Sequence, residues 1–416
     1  MGRGETVSLK RVVITGRGTV SPFGLGVADL LDGIWRGQSG IQLMPDWENI
    51  QGLQCHMAGP VPPFDAKPLL PRTIRRTMGP MAIYATLAAK EAVSDSGLEP
   101  DFLASGRVGA AIGSTTGSPT IYEALYRQFL PEESVEHVRS GMFFKIMGHC
   151  CAANVCLALG ITGEQWAPTS ACTSSAQAMG LGYMLIRSGR QEAMLCGGAD
   201  EVHPTVTMVF DVIKAASRSH DLPLTTPRPF DLNRDGVVCG EGGGVLVLES
   251  LDSALRRKAK IYCEILGFGH VNDSRSIANP QGNSMAKTMH NALAEAGLNG
   301  DDIDYVNAHA TGTVLGDIAE AVAIHSIFGK DVPVSSYKGH MGHTLGAAGA
   351  LETIVLLEML DRQEVVPTLN LESLDPNCSG INLVQSVDKL PMNIVLKNNF
   401  ALGGVNAAMV LRRWTA

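Results

Sequence analysis

The residues best suited to chemistry begin with one cysteine. Cys172 lies in the segment TSACTSSA, residues 169–176, where a short polar stretch leads into a predicted helix. The N-terminus of a helix offers partial positive charge and free N–H groups, which favour a thiolate. The small neighbours leave room for a substrate at the sulfur. The chain has nine cysteines, so a buried thiol without a chemical role also stays open for this segment alone.

Two histidines lie in further segments that are rich in small residues. His309 follows a strand predicted at residues 303–308, and the carboxyl end of a strand is well placed to face a cleft. His343 lies in KGHMGHTLGAAGA, a turn that leads into a helix predicted at residues 346–362. Taken alone, each histidine is also compatible with a structural role, and the Gly/Ala run is compatible with simple helix packing.

One cysteine and two histidines on separate loops suit a thioester reaction. The thiolate attacks an acyl thioester and holds the acyl group. Two imidazoles then hydrogen-bond to the carbonyl of a second thioester while carbon dioxide leaves, and they stabilise the enolate that forms. A Ser-His-Asp hydrolase would need a histidine oriented by a carboxylate and open access for water, and neither is indicated.

The composition limits the class of protein. The chain has 416 residues, of which 45% are hydrophobic and 18% charged, as is typical of a soluble globular enzyme. A net charge of −8 and only 5% aromatic residues argue against a nucleic-acid partner. The cysteines form no C-x-x-C pair, so we predict no metal site and reduced thiols in a cytoplasmic protein. The N-terminus lacks the apolar core of a signal peptide, and we predict no membrane span.

The elements that position these segments alternate between strands and helices, which predicts α/β layers. Gly403 and Gly404 lie between two predicted strands and indicate a final hairpin. A remote duplication with a join near residues 250–260 stays open. Strands are predicted at residues 10–15, 108–112, 191–195, 395–400 and 406–411, with 244–249 and 261–267 as neighbours, and helices at 78–96, 284–297 and 317–328.

In this order, the segments around the cysteine, the two histidines and the hairpin closely resemble the β-ketoacyl-acyl carrier protein synthases, nearest to the synthase I and II branches. The likeness spans nearly the whole chain and includes VVITGRGTVSPFG and PFDLNRDGVVCGEGGGVLVLE. The resemblance implies the thiolase fold, with two similar halves in a five-layer αβαβα body. Residues 1–255 would hold the nucleophile and residues 256–416 both histidines.

The resemblance also implies a decarboxylative Claisen condensation between an acyl-cysteine enzyme and malonyl-acyl carrier protein, in fatty-acid, polyene or polyketide assembly. The enzyme would bind no cofactor of its own, because the carrier protein brings the phosphopantetheine arm. The alternative is a non-catalytic subunit that sets chain length in a heterodimer, but such subunits lack the cysteine. A degradative thiolase is a weaker alternative, since it uses a second cysteine near its C-terminal loop.

By position, Cys172 matches the acyl-accepting nucleophile of the family, and His309 and His343 match its two catalytic histidines. Lys338 matches the lysine of the K-x-x-x-x-H element. Glu320 matches an acidic residue that pairs with this lysine in the family.

The same resemblance assigns residues to substrate binding. Thr311 and Thr313 match hydroxyls that touch the phosphopantetheine arm, and Phe400 and Leu402 also belong to the substrate site. The backbone N–H groups of Cys172 and Leu402 would form the oxyanion hole.

Two motifs depart from the family pattern. Ala310 replaces the first glycine of H-G-T-G/S-T, and Ala401-Leu402 replaces Gly-Phe in G-F-G-G. The aromatic residue of the family guards the acyl pocket, so Leu402 predicts a specialised chain such as a polyene or an aryl-primed one. Neutral drift is the alternative.

The expected partner is an acyl carrier protein, which is acidic in this family. Because this chain is acidic too, attraction needs a local basic patch. Arg72, Arg75 and Arg76 supply one where related synthases have a basic docking segment, although a solvated helix start is the alternative. The chain is expected to form a homodimer, or a heterodimer with a related chain.

Overall fold

The structure is a computed structural model that describes residues 9–136 and 138–415. The predicted absence of a signal peptide rests partly on residues 1–8, which lie outside this range. The strands are β1 (Val12–Ser21), β2 (Gly24–Leu25), β3 (Gln42–Leu43), β4 (Met57–Ala58), β5 (Val108–Gly113), β6 (Gln165–Trp166), β7 (Ala193–Asp200), β8 (Gly242–Ser250), β9 (Cys263–Asn272), β10 (Tyr305–Asn307), β11 (Pro333–Ser335), β12 (Glu364–Val365), β13 (Asn382–Leu383), β14 (Asp388–Lys389), β15 (Ile394–Phe400) and β16 (Val405–Arg413).

Helices connect and cover these strands. They are α1 (Val27–Trp35), α2 (Arg72–Arg75), α3 (Pro80–Ser96), α4 (Pro100–Leu103), α5 (Pro119–Phe129), α6 (Ser140–Ile146), α7 (Cys150–Leu159), α8 (Ser174–Arg187), α9 (Pro204–Val212), α10 (Leu251–Arg256), α11 (Gly282–Ala296), α12 (Val314–Phe328), α13 (Lys338–Met341) and α14 (Ala348–Arg362). Short 3-10 turns include Ala171–Thr173 and Leu345–Ala347.

The main sheet contains the same strand arrangement twice. In the first half the order is β1-β8-β7-β5-β6, and in the second it is β9-β16-β15-β10-β11. Each half places its first strand beside its last, and the pairings run antiparallel, antiparallel, parallel and parallel in both. The halves join where β1 pairs with β9. This repeat agrees with the expected duplication, whereas the boundary between residues 1–255 and 256–416 stays a prediction.

Five layers follow from the packing of the helices on this sheet. α3 and α7 cover the outer face of the first half, and α11, with α12 beside it, covers the outer face of the second. α8 and α14 pack against each other between the two halves and contact strands of both. The middle layer is therefore largely buried, and α14 has buried residues along most of its length.

Local signals account for several element boundaries. α3 begins with Pro80 in its first turn and ends at Gly97, which adopts a left-handed φ of 67°. The predicted hairpin is confirmed, since β15 and β16 pair antiparallel around Gly403 and Gly404, with φ angles of 89° and 76°. One sequence prediction is wrong: the strands predicted at 244–249 and 261–267 are not neighbours. β1 pairs with both β8 and β9 and lies between them.

No single helix within residues 9–136 and 138–415 is long and apolar enough to cross a membrane. α6 and α7 pass the length and composition test only together, and the chain bends by 104° between them.

Candidate active site

The cysteine lies on a strained turn at the start of a central helix. Cys172 is in the middle of the 3-10 turn Ala171–Thr173, which leads directly into α8. Ala171 has a φ of 48°, a left-handed conformation that costs a residue with a Cβ about 1–2 kcal/mol. The Ser174 hydroxyl holds the turn, because it donates to the carbonyl of Ala171 at 2.8 Å and accepts from the N–H of Ser170 at 3.0 Å. The sequence prediction of a cysteine at a helix start is thus confirmed.

Opposing effects act on the pKa of the Cys172 thiol. Burial raises the pKa of the Cys172 thiol to about 12. The positive charge of Lys338 and the N–H groups of Cys172 and Leu402 act in the opposite direction. These are the two N–H groups expected to form the oxyanion hole, and both interact with the sulfur. Since burial dominates, the helix N-terminus alone does not produce a stable thiolate here, which corrects the simpler expectation from sequence.

Both predicted histidines meet the cysteine. Sγ of Cys172 and one ring nitrogen each of His309 and His343 all lie within 4.8 Å of one another. The two imidazole rings meet edge to face, with centroids 5.2 Å apart and planes at 83°. The ring of Phe400 packs on His309 at 6.2 Å. Residues far apart in sequence are therefore joined into one cluster, with the cysteine from the first half of the sheet and the histidines from the second.

Both histidines are neutral, and both have ring nitrogens that can bind a ligand. Burial lowers the pKa of His309 and of His343 well below the ordinary value, and the positive charge of Lys338 lowers both further. Within the described residues, Nδ1 of His309 and both ring nitrogens of His343 are buried without a hydrogen-bond partner. Buried polar atoms normally have partners. These nitrogens are therefore placed to hydrogen-bond a ligand that reaches the sulfur.

The expected pair of Lys338 and Glu320 is wrong. The ammonium of Lys338 forms an ion pair with Glu352 of α14 instead. Glu320 accepts hydrogen bonds from the backbone N–H groups of His309 at 2.8 Å and Ala310 at 2.7 Å. The reason is geometric, because α12 aims Glu320 at the loop after β10. Glu320 thus holds the backbone of the histidine loop and does not neutralise the lysine.

Two further charged residues escape the sequence analysis. Glu352 is fully buried in α14, and its second carboxylate oxygen lies 2.5 Å from Nζ of Lys397. Lys397 lies in the middle of β15 and is 2% exposed. Each is a lone charged residue directly after or within an apolar stretch, as in IVLKNNF and GALETIVLL, and this signal could have revealed them.

Two cavities meet at the cysteine. The larger, about 740 Å³, extends between α5 and α9, and the smaller, about 450 Å³, is lined by Thr311, Thr313 and Phe400. Cys172 and Leu402 line both. Leu402 therefore lies at the junction of the cavities, as a gate would.

The two departures from the family pattern fit without strain. Neither Ala310 nor Ala401 has a positive φ, whereas the neighbouring Gly312 does, at 85°. The N–H of Ala401 donates to Val405 at 2.9 Å, and the N–H of Gly403 donates to Ile277 at 2.8 Å. The loop is thus tied at both ends with alanine in place.

The three arginines lie apart from this cluster. Arg72 and Arg75 are in the short helix α2, and Arg76 follows it. Arg72 and Arg76 are exposed, Arg75 is half-buried, and none lines either cavity. Their role as a docking patch therefore stays a prediction.

Comparisons with known proteins agree with this geometry. Residues 9–254 match the family Beta-ketoacyl synthase, N-terminal domain, and residues 262–372 match Beta-ketoacyl synthase, C-terminal domain. The 3-oxoacyl-[acyl-carrier-protein] synthase 1 of Haemophilus influenzae is 34% identical over 409 residues, covering 98% of this chain and 100% of that protein.

Solved structures resemble the whole chain. A beta-ketoacyl synthase from Burkholderia phymatum STM815 has a TM-score of 0.95 and 39% identity, covering 98% of this chain and 100% of that one. A second similar chain comes from the complex of a type II PKS acyl-carrier protein with its ketosynthase bound to the hexaketide. It has a TM-score of 0.89 and 28% identity, covering 98% of this chain and 100% of that one.

The role of Glu320 as a clamp on the histidine loop can be tested by Glu320→Ala. This change leaves two buried N–H groups without an acceptor, at about 1–3 kcal/mol each, so we expect a loss of about 2–5 kcal/mol in unfolding free energy. Denaturant unfolding measures the loss, and hydrogen exchange should accelerate at the amides of His309 and Ala310. Glu320→Gln keeps one acceptor oxygen and should lose less. Equal stability of the alanine variant and the parent would refute the clamp.

Proposed function

Since the chain belongs to the β-ketoacyl synthase family, we propose that Cys172 accepts the acyl group and that His309 and His343 carry out the decarboxylation that drives condensation. The chain is a β-ketoacyl-acyl carrier protein synthase, an acyltransferase that forms carbon–carbon bonds, with the thiolase fold. The observation that carries the assignment of roles is the meeting of a thiol and two unpartnered imidazoles where two cavities join.

In the first half-reaction, the sulfur of Cys172 adds to the carbonyl carbon of an acyl thioester. Negative charge develops on the carbonyl oxygen, and the N–H groups of Cys172 and Leu402 donate to it. The carbon–sulfur bond to the carrier then breaks, and the carrier thiol leaves with the proton that Cys172 gave up. The nearby charge of Lys338 favours the thiolate against the cost of burial.

In the second half-reaction, neutral His309 and His343 each donate an N–H to the thioester carbonyl of a malonyl group. The bond to the carboxylate breaks, carbon dioxide leaves, and the electron pair forms an enolate whose charge the two donors stabilise. The enolate carbon attacks the acyl group on Cys172. The carbon–sulfur bond breaks, so the thiolate returns and the β-ketoacyl chain stays on the carrier.

The two cavities suit the two parts of the substrate. The larger and mostly apolar cavity would take the acyl chain, and the smaller would take the phosphopantetheine arm beside Thr311 and Thr313. The arm belongs to the carrier protein, so the enzyme needs no cofactor of its own. The free thiol of every cysteine supports a reducing compartment such as the cytoplasm.

We also propose that the chain works as a dimer of identical copies. Tyr126 of α5 and Val209 of α9 are exposed apolar residues that line the larger cavity. Met208 and Val212 of α9 are exposed apolar residues as well. Exposed apolar patches of this kind are typical of protein interfaces. The presence of Cys172 and both histidines argues against the alternative that this chain is the chain-length-setting subunit of a heterodimer.

The donor role of the histidines predicts that His343→Ala loses malonyl-carrier decarboxylation. Removing one donor to a developing oxyanion typically costs about 10²–10³ in rate. Release of carbon dioxide from malonyl-acyl carrier protein measures this step separately from acylation of Cys172, which should continue. The exposed His290 on α11 offers a control, since His290→Ala should change neither step. Unimpaired decarboxylation by His343→Ala would contradict the role.

The docking patch predicts that changing Arg72, Arg75 and Arg76 together to Glu weakens binding of the acidic carrier and reduces its salt dependence. Charges at the rim of an interface mainly change the association rate, and screening confines the effect to about 8 Å. Acylation of Cys172 by a small acyl thioester, which needs no docking, should stay unchanged. The triple change to Lys keeps the charge and should bind nearly as well as the parent. Unaltered carrier-dependent turnover across a salt titration would move the docking surface elsewhere.

The position of Leu402 between the cavities predicts a preference for unsaturated or aryl acyl chains over saturated chains of equal length. A branched aliphatic gate leaves an opening that a flat ring would close. Leu402→Phe should shift the preference toward saturated chains, while Ala401→Gly alone should not, because Ala401 is unstrained. Competition between matched saturated and polyenoic acyl-carrier substrates, with the acyl-Cys172 species counted, measures this. Equal use of both chains by the parent and the Leu402→Phe variant would identify the departure as drift.

A further inference from the structure

A second lysine is buried beneath the reacting residues. Nζ of Lys397 lies 2.5 Å from one carboxylate oxygen of Glu352 and donates to the backbone carbonyl of Asn398 at 2.7 Å. The other oxygen of Glu352 is bound by Lys338. Two ammonium groups therefore share a single carboxylate, and all three side chains are at most 2% exposed.

Such an arrangement lowers the stability of the fold, so we expect that it serves a function. Burying an ammonium group removes its hydration, and one carboxylate cannot fully repay the loss for two cations. An apolar side chain would fill the same place in β15 at lower cost. A strongly perturbed charge that is buried near the two histidines is therefore a candidate for a role in function.

The surroundings of Lys397 indicate what that role is. The charged and titratable groups that face it are Glu352 on α14, Lys338 on α13, Glu320 on α12, and the two imidazoles of His309 and His343. Burial is the main cause of the lowered pKa of both histidines, and the positive charges of Lys338 and then Lys397 lower it further. Its strand also continues into Phe400, which packs on His309, and into the loop that carries Leu402.

We propose that Lys397 is a positioning residue for condensation: by sharing Glu352 with Lys338, it keeps a net positive field on His309 and His343, which adds to burial in holding both as neutral hydrogen-bond donors. This inference rests on the proposed decarboxylation at the two histidines. If Glu352 faced Lys338 alone, its negative charge would cancel the field of that lysine. The imidazoles would then bind protons more readily, and an imidazolium is a different catalyst from the neutral donor that is poised here.

The sign of the expected effect follows from linkage. A cation beside an imidazole disfavours the imidazolium and lowers its pKa. Removing the charge of Lys397 therefore raises the pKa of His309 and His343, so they become protonated at a higher pH. Burial lowers the pKa of Lys397 itself to about 8, and so the parent should also lose part of the field above that pH.

The test compares Lys397→Met and Lys397→Gln with the parent. Lys397→Gln keeps a hydrogen-bond donor for Asn398 and Glu352 but carries no charge. It therefore distinguishes the effect of the positive charge from the effect of the hydrogen bonds. We expect the acid limb of the pH profile for malonyl-carrier decarboxylation to move up by about one pH unit in both variants. Lys389→Met is the control, because Lys389 is 73% exposed in its pair with Glu364 and should leave the profile unchanged.

Nuclear magnetic resonance titration of the histidine Cε1–H signals gives a second readout that needs no turnover. It should show a higher pKa for His309 and His343 in both variants. A uniform loss of rate with an unshifted profile and unshifted histidines would overturn the inference and leave Lys397 a structural residue. Failure of the proposed function would look different, since the parent would then not decarboxylate malonyl-carrier protein although the histidine shifts persisted.

Discussion

The geometry of the site depends on a buried cluster of two lysines and one glutamate. Glu352 is a single buried carboxylate from the central helix α14, and it binds one lysine from α13 and another from β15. This contact joins three elements, two of which lead into other residues of the site. α13 precedes His343, and β15 leads into Phe400 and Leu402. Loss of the carboxylate would leave two unpaired cations, which is far more costly than never having buried them.

The repeated sheet explains why the site lies where it does. The corresponding central helices of the two halves, α8 and α14, pack against each other in the middle layer. Each begins with a 3-10 turn, Ala171–Thr173 and Leu345–Ala347, and in each turn one residue adopts a positive φ, Ala171 at 48° and Leu345 at 52°. The first turn presents the cysteine, and the second follows directly on the segment with His343. Two similar halves thus contribute different chemistry to one cleft.

Motifs in the sequence were sufficient to predict the three residues that meet in the site, since Cys172, His309 and His343 each occur in short segments of distinctive composition. Contacts between such segments were harder to predict. Glu320 and Glu352 lie 18 and 14 residues from Lys338, so spacing does not favour either as its partner, and only the packing of α12 and α14 decides. The order of β8, β1 and β9 was missed for the same reason, because a strand from the start of the chain inserts between two that follow each other.

The central claim is that the acyl group is carried by Cys172 while carbon dioxide leaves at the histidines. Mass spectrometry of the intact enzyme and its peptides after incubation with acyl-loaded carrier protein tests it most directly. The account predicts one acyl group per chain, located on the peptide that contains Cys172 and released as β-ketoacyl-carrier product when malonyl-carrier protein is added. An acyl group found on another cysteine, or product formed without any acylated enzyme, would contradict it.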